Sequence, residues 1–103
     1  MQLIRFDEIL YMESSGHTVG VRTRTKNLYC YGSLGKFKEL LPEYFVQCHK
    51  SYLVNMKEIR CLERNCISTI QGDRIPVSKS RYGDTRERYF RYMEGIRLAG
   101  EMK

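Results

Sequence analysis

The first two thirds of the chain consist of short apolar runs separated by turn residues, and that rhythm constrains the fold more than any other feature. Ile9 to Met12 is a compact apolar run ending at the turn cluster Glu13-Ser14-Ser15-Gly16. Val19 and Val21 then alternate with polar neighbours through HTVGVRTRT, and Leu28 to Tyr31 can pair back on that strand across Thr25-Lys26-Asn27. Period-two alternation puts apolar side chains on one face of an extended strand, so these segments predict an antiparallel hairpin. Further along, IRCLE, CISTI and DRIPVS are strand candidates separated by Arg64-Asn65 and by Gln71-Gly72-Asp73. Many short strands with few helices imply a mainly β domain of packed sheets, not a wound α/β sheet, and they exclude a helix-turn-helix domain.

Two segments break the rhythm. Ser33, after Gly32, is placed to cap a short helix that carries Leu34, Phe37, Leu40 and Leu41 toward the sheet and stops at Pro42. From Lys79 onward, Tyr82, Thr85, Tyr89, Tyr92, Ile96 and Ala99 recur at steps of three and four, which predicts a C-terminal helix over about 79–99. Such a stripe ordinarily packs on its own domain; a homodimer contact is the lesser reading, and Gly95 and Gly100 weaken it. The compositional boundary at Ser78 is internal, because 103 residues accommodate a single domain spanning 1–103.

Between the short helix and the later strands lies Phe45 to Asn55, FVQCHKSYLVN, with His49, Lys50 and Ser51 held between apolar flanks. On its own the segment reads as an ordinary turn or as a presented surface. All three side chains can donate to a phosphate oxygen or a base edge, and no nucleophile or metal partner adjoins them. The net charge of +6 favours a polyanionic partner. Arg22, Arg24 and Lys26 form one basic cluster and Lys79, Arg81, Arg86, Arg88 and Arg91 another, which implies a long footprint.

Other chemistries find little support. The glutamates form no acid and base constellation, neither histidine lies in a nucleophile motif, and we expect no enzyme, no cofactor and no small-molecule substrate. Cys30, Cys48, Cys61 and Cys66 lack the paired spacing of a zinc site, so free buried thiols in a reducing cytoplasm are the expectation. Met1 to Leu10 carries Arg5, Asp7 and Glu8 and does not read as a leader, and no run is long enough for a membrane span. A soluble cytoplasmic protein with no membrane partner follows as the expectation.

Three segments in order, ILYMESSGH (Ile9 to His17), YGSLGKFKELLPEYFVQCHKSYLVN (Tyr31 to Asn55) and IPVSKSRY (Ile75 to Tyr82), strongly resemble the LytTR DNA-binding domain, an output module of bacterial response regulators. The resemblance implies an elongated stack of small antiparallel sheets with one short helix, whose loops enter successive major grooves of double-stranded DNA to regulate transcription in two-component systems. Carried over residue by residue, the base-reading positions are His17, Lys50 and a third just past the serine of IPVS. That third position is Ser80 by direct count and Lys79 or Arg81 if the loop shifts, with Arg81 preferred. Lysine and arginine reach guanine O6 and N7, and histidine donates to either acceptor. Ser51, Ser78, Arg86 and Arg88 are expected on phosphates, Asn55 on a structural turn, and His49 as a structural neighbour of Lys50.

The family's extra opening strand would have to lie within Met1 to Phe6, so either the first strand is shortened or the chain is a fragment, and the C-terminal helix is longer than the family core requires. A receiver domain, or a second copy on paired sites, stays open as a further partner. The alternative function is a small β-rich protein-interaction or dimerisation module that uses the C-terminal stripe. Single-stranded RNA binding by Tyr29, Tyr31 and Tyr52 is a third, requiring these rings on one open face.

Overall fold

Turn chemistry in the N-terminal half produces a five-stranded antiparallel sheet, seen in a computed structural model that describes residues 4–101 and the side chains of 4–96. Its strands are β1 (Ile9–Ser15), β2 (Thr18–Thr23), β3 (Asn27–Tyr31), β4 (Phe45–His49) and β5 (Tyr52–Asn55), in the spatial order β3-β2-β1-β5-β4. The Ile9 strand therefore lies at the centre, paired on both sides. Thr23 closes the β2–β3 turn, its hydroxyl donating to the Lys26 carbonyl at 2.9 Å while accepting from the Lys26 amide at 3.1 Å. A second sheet holds β6 (Ile59–Leu62), β7 (Cys66–Thr69) and β8 (Arg74–Pro76) in sequential order. The mainly β class and the stacked small sheets match the expectation.

The short helix α1 (Leu34–Leu40) starts as its sequence predicts, with the Ser33 hydroxyl accepting from the Lys36 amide. Its apolar stripe is narrower than expected. Leu34 is buried and Phe37 packs against the core, whereas Leu40 is exposed. The long helix α2 runs Tyr82–Glu101 and begins three residues later than predicted, because Ser78 to Arg81 forms a turn closed by the Arg81 amide on the Ser78 carbonyl at 3.1 Å. Thr85, Tyr89 and Tyr92 pack inward as the stripe requires, Ile96 is exposed, and the side chain of Ala99 lies outside the described residues.

Period two now separates two cores. Met12, Phe45 and Leu53 face α1 on one side of the sheet, while Val46 and Val54, their neighbours in sequence, face the second sheet and α2 on the other. The edge strand β3 adds only Leu28 to the margin of a core, with Tyr29 75% and Tyr31 88% exposed. Cys30 and Cys61 are exposed too, so the expectation of four buried thiols holds only for Cys48 and Cys66. Both exposed cysteines lie on edge strands, where apolar neighbours in sequence do not become neighbours in space.

Candidate nucleic-acid interface

Strand directions decide which loops share an end. β1 ends where β5 begins, since Glu13 lies opposite Tyr52, so the β1–β2 and β4–β5 hairpins project from the same edge. The Ser14 amide donates to the Ser51 carbonyl at 2.8 Å and ties the two tips together. The connection from β8 to α2 joins them, because the Ser78 amide donates to the Cys48 carbonyl at 2.9 Å and the Cys48 thiol meets the Pro76 carbonyl at 3.4 Å. Segments scattered over the sequence thus converge at one end of the molecule.

Each tip has its own construction. Ser15 pairs with Thr18 across a two-residue turn of Gly16 and His17. Gly16 has φ +59 and is followed by a residue that is not left-handed, the pattern of a type II′ hairpin, which needs glycine first. His17 is exposed, and its carbonyl accepts from the Gly32 amide at 3.0 Å, which anchors the tip to the start of α1. The β4–β5 tip carries Lys50 and Ser51 between the paired His49 and Tyr52, and neither has positive φ. A turn of that hand fits the strand twist less well than a primed turn, and the ladder is irregular between Val46 and His49. Side chains make up the difference. The His49 Nδ1 accepts from the Ser51 amide at 3.1 Å, and the Gln47 amide group donates to the Lys50 carbonyl at 3.3 Å.

Lys50 is exposed and, among the described residues, its ammonium enters no ion pair. It lines an open groove with His17, Tyr31, Ser33 and Gln47. In the third loop Lys79 and Ser80 are exposed and Arg81 is half-buried. Burial pushes the Cys48 thiol up to about 12, and the Arg81 charge pulls in the opposite direction. Ser51 is half-buried with its backbone engaged and its hydroxyl outside these bonds.

Two expected phosphate ligands are occupied differently. The Ser78 hydroxyl is shielded from solvent, and Arg88 donates to the carbonyls of Glu43 and Phe45, at the far end of β4 from the tips. Arg86 is exposed, with its guanidinium 4.5 Å over the Phe90 ring. The first basic cluster is largely committed to structure. Arg24 pairs with the buried Glu58 at 2.7 Å and Arg22 lies 3.9 Å from Asp73. Asn55 holds a turn as expected, donating to the Ile9 carbonyl and accepting from the Lys57 amide, both at 2.9 Å. Tyr52 is half-buried beneath the second tip, apart from the exposed Tyr29 and Tyr31 of the edge strand, so the three rings do not form one stacking platform.

Tyr31, expected only as a ring for stacking RNA, joins the groove because its partner Thr18 adjoins His17, and sequence reasoning missed Gln47, whose role depends on the loop geometry. Only the strand register could have supplied either. Among the described residues, no His, Cys, Asp and Glu side chains gather into a group able to hold a metal ion, and no helix is long and apolar enough to cross a membrane.

The family model for the LytTr DNA-binding domain matches residues 1–89. Among solved structures, the chain is similar to the LytTr DNA-binding domain of a protein described as a methyl-accepting/DNA response regulator from Bacillus cereus. The TM-score is 0.76 at 27% sequence identity, covering 82% of this chain and 84% of that one. No curated protein matches the chain.

Proposed function

The chain belongs to the LytTR family of DNA-binding domains, and from that membership we propose that it binds double-stranded DNA sequence-specifically, its loops reading successive major grooves. The biological role we assign is transcription regulation as the output module of a response regulator. One observation carries the proposal: three donor-bearing loops share one end of the sheet and are bonded to one another through Ser14–Ser51 and Ser78–Cys48. Separate loops on a rigid sheet can follow the groove without a recognition helix, and their exposed side chains supply donors to base edges.

In this assignment Lys50 reads guanine O6 and N7, His17 donates to a neighbouring step, and the third reader lies in Lys79, Ser80 and Arg81. Ser51 and Arg86 contact phosphates. Ser78 and Arg88 serve the frame, one fixing the third loop through its backbone and the other clamping α2 to β4. The test is selection of bound duplexes from a random pool, followed by titration at moderate salt. A selected duplex is expected to bind at least about 10³-fold more tightly than random DNA, as specific binders do. Equal affinity for both would sink the proposal.

A second function class, a protein-interaction module, draws on the exposed Phe90, Met93 and Ile96 of α2. Salt separates the two, since DNA affinity falls steeply with ionic strength and apolar docking does not.

A further inference from the structure

One row of side chains crosses three strands directly beneath the second tip. Glu13 on β1 lies opposite Tyr52 on β5, and Tyr52 lies opposite His49 on β4. The Tyr52 hydroxyl donates to Glu13 Oε2 at 2.8 Å, the Tyr52 and His49 rings meet edge to face with centroids 5.6 Å apart, and His49 Nδ1 accepts the Ser51 amide. Tyr11 flanks Tyr52 with ring centroids 6.2 Å apart.

We propose that Glu13 and Tyr52 are positioning residues for DNA recognition, which set the presentation of Lys50 by fixing the His49 ring that holds the Ser51 amide. The proposal rests on the assignment of the Lys50 loop to DNA. Its physical basis is the turn itself. With neither Lys50 nor Ser51 in a left-handed conformation, the hairpin lacks the primed geometry that would match the strand twist, so its shape depends on side-chain ties. The tie to Ser51 exists only while His49 keeps Nδ1 unprotonated and turned toward the loop. An imidazole can rotate away, and the tyrosine edge opposes that rotation. Tyr52 is in turn fixed by a carboxylate on the central strand, which pairs with neighbours on both sides. Burial, together with the bond to Glu13, pushes the Tyr52 phenol up to about 12, so the hydroxyl stays a donor throughout the neutral range.

Glu13 is an exposed carboxylate near the end that faces polyanionic DNA, where a carboxylate acting by charge alone weakens binding. If charge were its whole effect, Glu13→Ala would raise affinity for every duplex and leave base preference intact. A positioning role predicts the opposite for specificity.

The experiment uses the full chain as wild type, Glu13→Ala, which removes the acceptor of the Tyr52 hydroxyl, and Tyr52→Phe, which removes the donor. Duplex selection and titration are combined with amide hydrogen exchange in the free protein. Failure of the wild type to prefer any duplex overturns the DNA assignment itself. Given wild-type preference, both variants are expected to lose roughly fivefold or more of the discrimination at the one base position that Lys50→Ala also erases. Preference at other positions and the salt slope should be retained, and the Ser51 amide should exchange faster without DNA present. Retention of base preference, or its equal loss at all positions, overturns the positioning role. Should Tyr52→Phe fail to fold, Glu13→Ala alone is decisive, because it removes the acceptor of the Tyr52 hydroxyl and its exposed side chain can be changed without opening the core.

Discussion

The two ends of the five-stranded sheet use the same residue types for opposite purposes. At the end away from the tips, polar side chains turn inward: Asn55 is fully buried with both ends of its amide bonded, Glu58 is buried against Arg24, and Arg88 caps the carbonyls of Glu43 and Phe45. At the tip end the backbone ties one segment to the next, through Ser14–Ser51, Gly32–His17 and Ser78–Cys48, and the ends of His17, Lys50 and Lys79 stay exposed. A donor already bonded inside the protein must lose that bond before it can serve DNA, so charge in a sequence overstates the charge available to a ligand. A binding face is therefore recognised by which donors the fold leaves uncommitted.

Substitutions at the two ends should separate stability from recognition. The largest effect is expected from Asn55→Ala, which strands the Ile9 carbonyl and the Lys57 amide near a fully buried position and should cost about 2–4 kcal/mol of unfolding free energy. Urea denaturation measures it, and the fraction that stays folded should keep wild-type base preference. Lys50→Ala comes next, with the reverse signature: a loss of about 1–3 kcal/mol in binding to the selected duplex and an unchanged melting temperature. If Asn55→Ala altered base preference, or if Lys50→Ala lowered stability comparably, the division between the ends would be wrong. Arg24→Ala tests the committed cluster. It should cost about 1 kcal/mol of stability, because Glu58 is buried while Arg24 is half in water, and it should leave the salt slope of DNA binding untouched.

What was legible in the sequence was local. The strands, the Ser33 cap and the inward stripe of Tyr82, Thr85, Tyr89 and Tyr92 depend on residues a few positions apart, where period and capping chemistry act directly. What was not legible depends on pairing between distant segments. Glu58 meets Arg24 across 34 positions and Glu13 meets Tyr52 across 39, so neither partner can be read before the order β3-β2-β1-β5-β4 is known. The exposure of Cys30 and Cys61 was missed for the same reason. The His17, Lys50 and Lys79–Arg81 positions came from the ordered family resemblance and not from periodicity, and it took the strand directions to bring them to one end.

The smallest effect gives the finest test, because it compares two arginines within a single turn of one helix. Arg86 is exposed over Phe90, whereas Arg88 is bonded to carbonyls at the far end of β4. Replacing a phosphate contact removes one released counterion, so Arg86→Ala should lower the slope of log affinity against log salt by about 1 and weaken all duplexes alike. Arg88→Ala should leave that slope unchanged and instead lower the melting temperature, since it frees α2 from the Glu43 and Phe45 carbonyls. A salt titration on both variants decides the matter. If Arg88→Ala also flattened the slope, that side chain would be leaving its carbonyls for DNA, and the far end of the sheet would have to be counted as part of the interface.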